Sequence, residues 1–572
     1  MALLSLEPTG ISTAVQSTTL SLDALGRNIC NTWSEAVDSG GPPFTVIVVG
    51  SGAYGAYLAA KVVALHPASR VLVLEAGPFL VSEHVQNLGN VGLNVPSAIA
   101  PEEDPGVARD LVWGLPWRGN TEFPGVAYCC GGKSLYWGGW CPRLTPDDLA
   151  QWPAQAASDL AAHYIDVESE IGVVPATDFI SGPLADAVWN RMTAVAPMVP
   201  NLDTGLIGGP VQMAPIAVQG ASPVSGLFSF DKYSSLPILV SAIRNDVAES
   251  GGSDAARRLF LVPRAHVVRI HADAGIAHTV EVQVDEGRRY LRLAAGAKVV
   301  LACSTIETTR LALLSFPTPL MGRNLQAHVR SDFTVRIRRG AIGAALGPVQ
   351  TAALLLRGRS TVGRFHLQLT ASNSAGGSDA LLFQMIPDLD LLQAHLASAD
   401  TDWITVTLRG IGQMTGDRLS AVPNATGSWI DLSPFETDEF GAARAYVHIT
   451  TSADDVRTWT ALDATAVDVA QRLAGTATNI EYFYDGGWQS VPFPLDRPFP
   501  PWHWGLGTTY HEAGTLWMGA DPMTSVTDPT GRFHHLANAY VADQAAFPTV
   551  GSVNPVLTGL TLARRLANKL GG

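Results

Sequence analysis

Residues Phe44–Val49 read FTVIVV and run directly into Gly50-Ser51-Gly52-Ala53-Tyr54-Gly55, after which AYLAAKVVAL continues from Ala56 to Leu65. A β-branched apolar run, a glycine turn and an Ala/Leu/Val-rich stretch predict strand, turn and helix. Each glycine has its own task. Gly50 permits the tight turn, Gly52 lets the backbone approach a pyrophosphate, and Gly55 allows the helix to pack closely on the strand. The helix start, with Ala53 and Tyr54 in its first turn, points free N–H groups and the positive end of its dipole at the phosphates. A second strand, VLVLEAG from Val71, carries Glu75 twenty residues beyond Gly55, the spacing at which a carboxylate meets the hydroxyls of an unphosphorylated adenosine ribose. The stretch therefore predicts an α/β protein with a Rossmann-like dinucleotide-binding domain, and it disfavours NADP.

Composition bounds the rest. At 572 residues, the chain is long enough for two or three domains or one elaborated enzyme. Hydrophobic residues at 47% against 15% charged, with 55 glycines and 37 prolines, exclude disorder, collagen and coiled coil. A net charge of −14 with no long Lys/Arg run argues against nucleic acid as a partner. The five cysteines (Cys30, Cys129, Cys130, Cys141, Cys303) form no CxxC pair and no zinc-type array, which points to a reducing compartment and no metal. The start, MALLSLEPTG, lacks a basic segment before its apolar run, and no stretch approaches the roughly 18–20 apolar residues of a membrane span. The expected location is the cytoplasm.

Further along, Gly131-Gly132-Lys133-Ser134-Leu135-Tyr136-Trp137-Gly138-Gly139 is a small-residue loop rich in backbone N–H groups, suited to close approach to a flat ring system. HEAGTLWMG (His511–Gly519) and AYVADQAAFPTVGSVNPVLTGLTLARRLANKL near the C-terminus give a loop with a histidine, a strand ending near Asp543, and a closing helix. With LVPRAHVVRI (Leu261–Ile270), AKVVLACSTIETTRLALLS and GRNLQAHV (Gly322–Val329), these motifs in this order resemble the glucose–methanol–choline (GMC) oxidoreductases, flavoproteins that oxidise alcohols with FAD, and look nearest to the pyranose oxidase-like branch.

The resemblance implies FAD-dependent oxidation of a CH–OH donor, plausibly a sugar, polyol or glycoside, by proton abstraction and hydride transfer to flavin N5. It implies ADP contacts at Gly50, Gly52, Gly55 and Glu75, adenine at the backbone of Val267 or Val268, and the isoalloxazine against the loop that contains Gly132, Ser134, Tyr136, Trp137 and Gly138. Asp543 falls by the pyrophosphate and ribitol, and Asn554 and Pro555 near the flavin pyrimidine. The catalytic pair falls on His511, the base, and Asn554, the oxygen anchor. Where relatives that bind FAD covalently have a histidine in this loop, Tyr136 stands here, so the FAD is expected to be non-covalent. Histidine suits the task because its ordinary pKa of about 6.5 leaves it able to accept a proton near neutrality. Asn554 would donate to the developing alkoxide.

Other residues keep two readings. His503 in PPWHWG lines the substrate pocket with Trp502 and Trp504, or belongs to a packed aromatic cluster. Gln413 faces substrate across the flavin, or is a satisfied sheet residue. His328 reads as structural or as a support behind the site. The electron acceptor, oxygen or a quinone, stays open, as do the oligomer and the rival activities: a lyase of the hydroxynitrile type using FAD without redox turnover, or an aryl-alcohol or sterol oxidase.

The cofactor motifs lie at both ends and in the middle of the chain. The expected FAD-binding domain is therefore discontinuous, built from 41–165, 225–335 and 500–572. An α+β substrate-binding domain with a mixed sheet takes 166–224 and 336–499, and residues 1–40 form an N-terminal extension. SWIDLSP and ARAYVHIT alternate like strands of the substrate domain.

Overall fold

All four residues of Val46–Val49 are buried, and a strand covered on both faces belongs in the middle of a parallel sheet. The computed structural model places it there, between Val71–Leu74 and Lys298–Leu301, with Leu259–Val262 and Ala539–Val541 at the edges of five parallel strands. The structure describes residues 26–84, 113–114, 117–121, 126–175, 180, 182–218, 232–343, 349–374, 402–420 and 422–571. Helix Ala53–Leu65 follows the first strand directly, and the last helix, Val556–Leu570, packs along it. That approach needs Gly559, where a Cβ would lie 2.3 Å from the ring of Tyr54. Of the expected N-terminal extension, residues 1–25 lie outside the described residues. Ile29, Cys30, Trp33 and Ala36 join the core of the parallel sheet, and Asn31 donates its backbone N–H to the Leu261 carbonyl at 2.8 Å.

A second, eight-stranded sheet is built around four strands, His328–Arg338, Val349–Arg359, Arg364–Ser374 and Trp403–Gln413. Its described pairings are all antiparallel; neighbours such as 349–359 and 364–374 are joined by a tight hairpin, which only the antiparallel arrangement allows. Side chains alternate across the pleat. One face carries Phe333, Val335 and Ile337, Leu354 and Leu356, Leu367 and Leu369, and Ile404, Val406 and Leu408, packed with residues of helices Pro183–Val195 and Ala453–Ala474. The opposite face carries His328, Arg330 and Asp332, His366, Gln368 and Thr370, and Thr407 and Arg409. It is polar yet largely buried. A buried face of hydroxyls, amides and ion pairs is costly unless its groups are hydrogen-bonded or paired, as Asp332 is with Arg330 and Arg409.

The strands expected from SWIDLSP and ARAYVHIT form, as Trp429–Thr437 and Ala443–His448, but they do not join this sheet. With Trp117–Gly119 they make a separate three-stranded sheet. Its apolar face (Ile430, Ala445, Val447) packs with Ile306 and Leu325, and the buried Arg310 on helix Thr305–Ser315, paired with Glu307 of the same helix, ties it down through Asp438 and the Ala443 carbonyl. The alternating pattern identifies a half-buried strand without naming the surface it covers.

Leu462, from helix Ala453–Ala474, reaches into the notch at Gly410, where a Cβ would lie 2.2 Å from its Cδ2. Leu462→Ala removes the wedge that joins helix to sheet and is expected to cost about 2–5 kcal/mol, the range of buried Leu→Ala changes. Differential scanning calorimetry should show a lower transition temperature for this variant, with the parallel-sheet half retaining its own transition.

Candidate active site

The glycine turn has the expected geometry. Gly50 has φ +95°, and a Cβ on Gly55 would lie 2.0 Å from the Gly50 carbonyl, so neither position admits a side chain without moving backbone. At Gly52 the Cβ position is open, with nothing within 4 Å, and Gly52 caps helix Ala53–Leu65 without a side-chain hydrogen bond. The first N–H groups of that helix thus face space that an anion can enter. Tyr54 has a structural task instead of a face toward this space: its hydroxyl donates to Gln544 Oε1 at 2.7 Å, while Gln544 Nε2 donates to the Glu512 carbonyl at 2.8 Å.

Glu75 is buried and accepts from Ser51 N at 2.8 Å, Ser51 Oγ at 2.7 Å and Gly77 N at 2.9 Å. It therefore staples the turn to the second strand, while two oxygens with about four acceptor positions leave capacity for a further donor. Burial raises its pKa, against the lowering effect of Ser51 and Gly77. Val267 pairs with Val282, whereas a register shift between Val267 and Arg269 takes Val268 out of the ladder at the edge of its strand. A bulge of this kind leaves main-chain groups for another partner.

Gly131 (φ +90°) and Gly132 (φ +51°) open a 3₁₀ turn through Leu135. Gly131 N–H donates to the Ser51 carbonyl at 3.1 Å, Ser134 Oγ donates to the Gly131 carbonyl at 2.6 Å, and Trp137 Nε1 donates to the Tyr233 carbonyl at 2.6 Å. A Cβ on Gly132 would stand 3.0 Å from Gly52 Cα, so the two glycine turns face each other. Tyr136 and Gly138 are half-buried in the same loop. Asp543 caps the turn Gln544–Ala546 through the Ala545 N–H at 2.9 Å, and burial pushes its carboxyl up to about 6.

His511 and Asn554 come together. His511 Nε2 lies 3.4 Å from Asn554 Nδ2, and His511 Nδ1 lies 2.9 Å from Nδ1 of His328, whose Nε2 donates to the Gly551 carbonyl at 3.0 Å. Gln368 Nε2 is 3.0 Å from Asn554 Oδ1 and 3.1 Å from His366 Nε2, and His366 Nδ1 is hydrogen-bonded to the Ser552 carbonyl. Pro555 caps the last helix and fixes the approach of Asn554. Burial holds His511 well below the ordinary histidine range, with His328, His366, Lys133 and Arg330 adding to the effect. His366 and Gln368 were not singled out from sequence. The available signal was the alternation in RFHLQLT, which puts both on one strand face.

Of the two other expected substrate residues, one turns away from the pair and one stands opposite His328 in the sheet register. His503 turns to the helix-bearing face: its Nε2 meets Asp463 Oδ2 at 2.6 Å, and its ring stacks on Trp459 at 4.0 Å. Asp463 also accepts from Ser331, which alternates with His328 and Arg330 and so faces away from them. Of its two readings, the packed cluster is the one this placement supports. Gln413 lines a cavity of about 780 Å³ with Gln326, Arg359, Arg364, Arg418 and Asp454, and neither His511 nor Asn554 borders that cavity.

Buried polar atoms mark the space between the glycine turns and the His511 loop. Lys133 Nζ and both carboxylate oxygens of Glu512 lack hydrogen-bond partners, although they lie 3.7 Å apart as an ion pair, and burial raises the Glu512 pKa while Lys133 lowers it. Glycine turns that admit close backbone approach, a helix N-terminus facing open space and unsatisfied buried polar groups fit a bound dinucleotide with a flat ring system; FAD meets all three demands.

Known proteins resemble this chain over most of its length. A family model described as GMC oxidoreductase matches residues 423–563. Paromamine 6'-oxidase of Streptomyces fradiae is 24% identical over 571 residues, covering 92% of this chain and 91% of that protein. C-glycoside 3-oxidase of Microbacterium trichothecenolyticum is 24% identical over 558 residues, covering 92% of this chain and 96% of that protein. The crystal structure of pyridoxine 4-oxidase from Mesorbium loti superposes with a TM-score of 0.57 at 16% identity, covering 92% of this chain and 99% of that one, and so shares the fold. The ordered motifs, the family model matched over residues 423–563 and the shared fold make this chain similar to the GMC oxidoreductases, enzymes that use FAD and act on CH–OH groups.

Proposed function

We propose that the protein oxidises an alcohol of a hydroxyl-rich small molecule, a sugar, polyol or glycoside, with His511 as the base and Asn554 as the anchor of the reacting oxygen. The carrying observation is the facing pair, His511 Nε2 and Asn554 Nδ2, 3.4 Å apart. An alcohol oxygen about 2.8–3 Å from each nitrogen fits the pair, giving its proton to one and accepting a hydrogen bond from the other. Asn554 then stabilises the charge that develops on oxygen, and His511 takes the proton. Gly50, Gly52, Gly55, the start of helix Ala53–Leu65, Glu75, Val268, the loop Gly131–Gly139 and Asp543 would hold FAD. When bound, FAD supplies the two-electron acceptor for the hydrogen on the carbinol carbon.

The substrate class rests on the polar face of the antiparallel sheet. Gln368, Thr370, Thr407 and the Arg330–Asp332–Arg409 ion-pair cluster offer hydroxyl, amide and charged partners around the pair, which suits a ligand that is itself a dense set of donors and acceptors. Trp504, its ring 4.1 Å from the Arg330 guanidinium carbon and 40% exposed, adds an apolar platform. Two relatives, named for oxidation of paromamine and of C-glycosides, support the reading, and their names favour oxygen as the acceptor. Tyr136, in place of a linking histidine, supports non-covalent FAD. Free thiols at all five cysteines support a reducing compartment, and among the described residues no helix is long and apolar enough to cross a membrane.

Anaerobic flavin bleaching by a panel of sugars, glycosides and aryl alcohols tests the reading; an oxidised flavin with every alcohol would overturn it. His511→Ala should slow reduction by about 10²–10⁴-fold, and Asn554→Ala by about 10²–10³-fold, with both variants retaining bound FAD. Precipitation with acid should release the yellow chromophore into the supernatant, whereas a covalent link would leave it with the pellet. The active form of His511 is neutral and its pKa is lowered, so the neutral form persists to more acid pH. The acid limb of kcat/KM is therefore expected below the ordinary histidine value of about 6.5; a limb at or above that value would contradict the assignment.

A further inference from the structure

A base must present a lone pair at the nitrogen that faces the substrate, and a neutral imidazole has its lone pair on one nitrogen alone. The protons around His511 can be traced from groups whose chemistry permits one role. A carbonyl oxygen only accepts. His328 Nε2, 3.0 Å from the Gly551 carbonyl, therefore carries its hydrogen. His328 is 1% exposed, and burial pushes its pKa down to about 4, so the ring is neutral near pH 7 and its Nδ1 is a lone pair. That lone pair lies 2.9 Å from His511 Nδ1, a contact that becomes a hydrogen bond when His511 supplies the hydrogen. With Nδ1 protonated, neutral His511 has its lone pair at Nε2.

A parallel chain begins at the next residue. His366 Nδ1 donates to the Ser552 carbonyl, which leaves His366 Nε2 to accept from Gln368 Nε2 at 3.1 Å. The second hydrogen of the same Gln368 nitrogen reaches Asn554 Oδ1 at 3.0 Å. The amide of Asn554 is thereby turned so that its NH₂ faces His511 Nε2. Two consecutive carbonyls, Gly551 and Ser552, set the polarity of both reactive groups.

We propose that His328 is a positioning residue that accepts the Nδ1 proton of His511 and so makes Nε2 the basic nitrogen. The inference rests on the reading of His511 as the base. When the alcohol O–H bond breaks, its proton goes to His511 Nε2; the Nδ1–H remains on His511, still donated to His328, and no other proton moves. His328 acts through His511 and does not touch the reacting carbon.

The test uses FAD-loaded protein labelled with ¹⁵N-histidine, with the His511 signals assigned by their loss in His511→Ala. Long-range ¹H–¹⁵N correlations should show the Nδ1–H tautomer in the unsubstituted protein. His328→Asn keeps an acceptor oxygen near the place of Nδ1 and should keep that tautomer, with kcat for anaerobic flavin reduction within about tenfold. His328→Phe offers no acceptor; His511 should move toward the Nε2–H form and kcat should fall by about 10²–10⁴-fold at similar KM, as when a catalytic histidine is left in the wrong tautomer. An Nε2–H tautomer in the unsubstituted protein, or an unchanged tautomer in His328→Phe, would overturn the inference even if His511→Ala is inactive. Full activity in His511→Ala would instead remove the base assignment and leave the tautomer result standing. If His328→Phe does not fold, the tautomer of the unsubstituted protein and the behaviour of His328→Asn still decide.

Discussion

The hydrogen bonds from His328 and His366 to the carbonyls of Gly551 and Ser552 join the two halves of this protein at the point where they matter. The histidines stand on strands of the antiparallel sheet, and the carbonyls belong to the segment that leads into the last helix beside the parallel sheet. Neither half alone has a site. One supplies His511, Asn554 and the glycine turns; the other supplies the groups that fix which atoms of His511 and Asn554 face outward. Because an imidazole nitrogen and an amide edge are polar only in one sense at a time, a relative shift of the halves by about an ångström would break the hydrogen bonds that set that sense.

The same demand accounts for the tight packing around the first and last helices. Tyr54 wedges against Gly559 and, through Gln544, reaches the carbonyl of Glu512, the residue after His511. A motif tyrosine that reads as part of a cofactor turn thus transmits the position of that turn to the catalytic loop. Asn324 and Gln326 reinforce the arrangement from the other side, with amide donors to the Gly514 and Pro548 carbonyls and Gln326 Oε1 accepting from Val550 N–H at 3.0 Å. Backbone polar groups of the loops 511–514 and 548–552 are consumed in this way, as buried loops require.

How much of this is legible in the sequence depends on the range of the interaction. Gly50, Gly52, Gly55 and Glu75 announce themselves because one turn imposes their spacing, and FTVIVV reads as a buried parallel strand because no polar residue interrupts it. The pair His511 and Asn554 is legible through its local motifs. His366 and Gln368 are not: their function depends on a register that brings Arg364–Ser374 beside Trp403–Gln413 and hence beside His328, which alternation alone does not specify. The strands near Trp429 and Ala443 fail for the same reason, since a period of two says that one face is covered and not by what. His503 is the reverse case. An aromatic-rich stretch close to His511 suggests the pocket, but pairing with Ser331 directs the ring to Asp463 and Trp459 on the far face.

The buried charges around the site differ in how they are satisfied. Buried Glu75, Asp543 and Asp332 each have hydrogen-bonded partners supplied by the protein, so their desolvation is offset within the fold. The Glu512 carboxylate and the Lys133 ammonium have each other at 3.7 Å and no closer hydrogen-bond partner, one on the loop of the base and one on the loop Gly131–Gly139. Lys133 also bears on the chemistry, because its positive charge is among the influences that keep His511 unprotonated. Glu75 and Asp543 are satisfied largely through backbone amides and Asp332 through two guanidinium groups, yet the Glu512–Lys133 pair beside the base is left half-satisfied, and its unmet polar capacity lies in the space assigned to FAD, where a bound dinucleotide would bring donors and acceptors of its own.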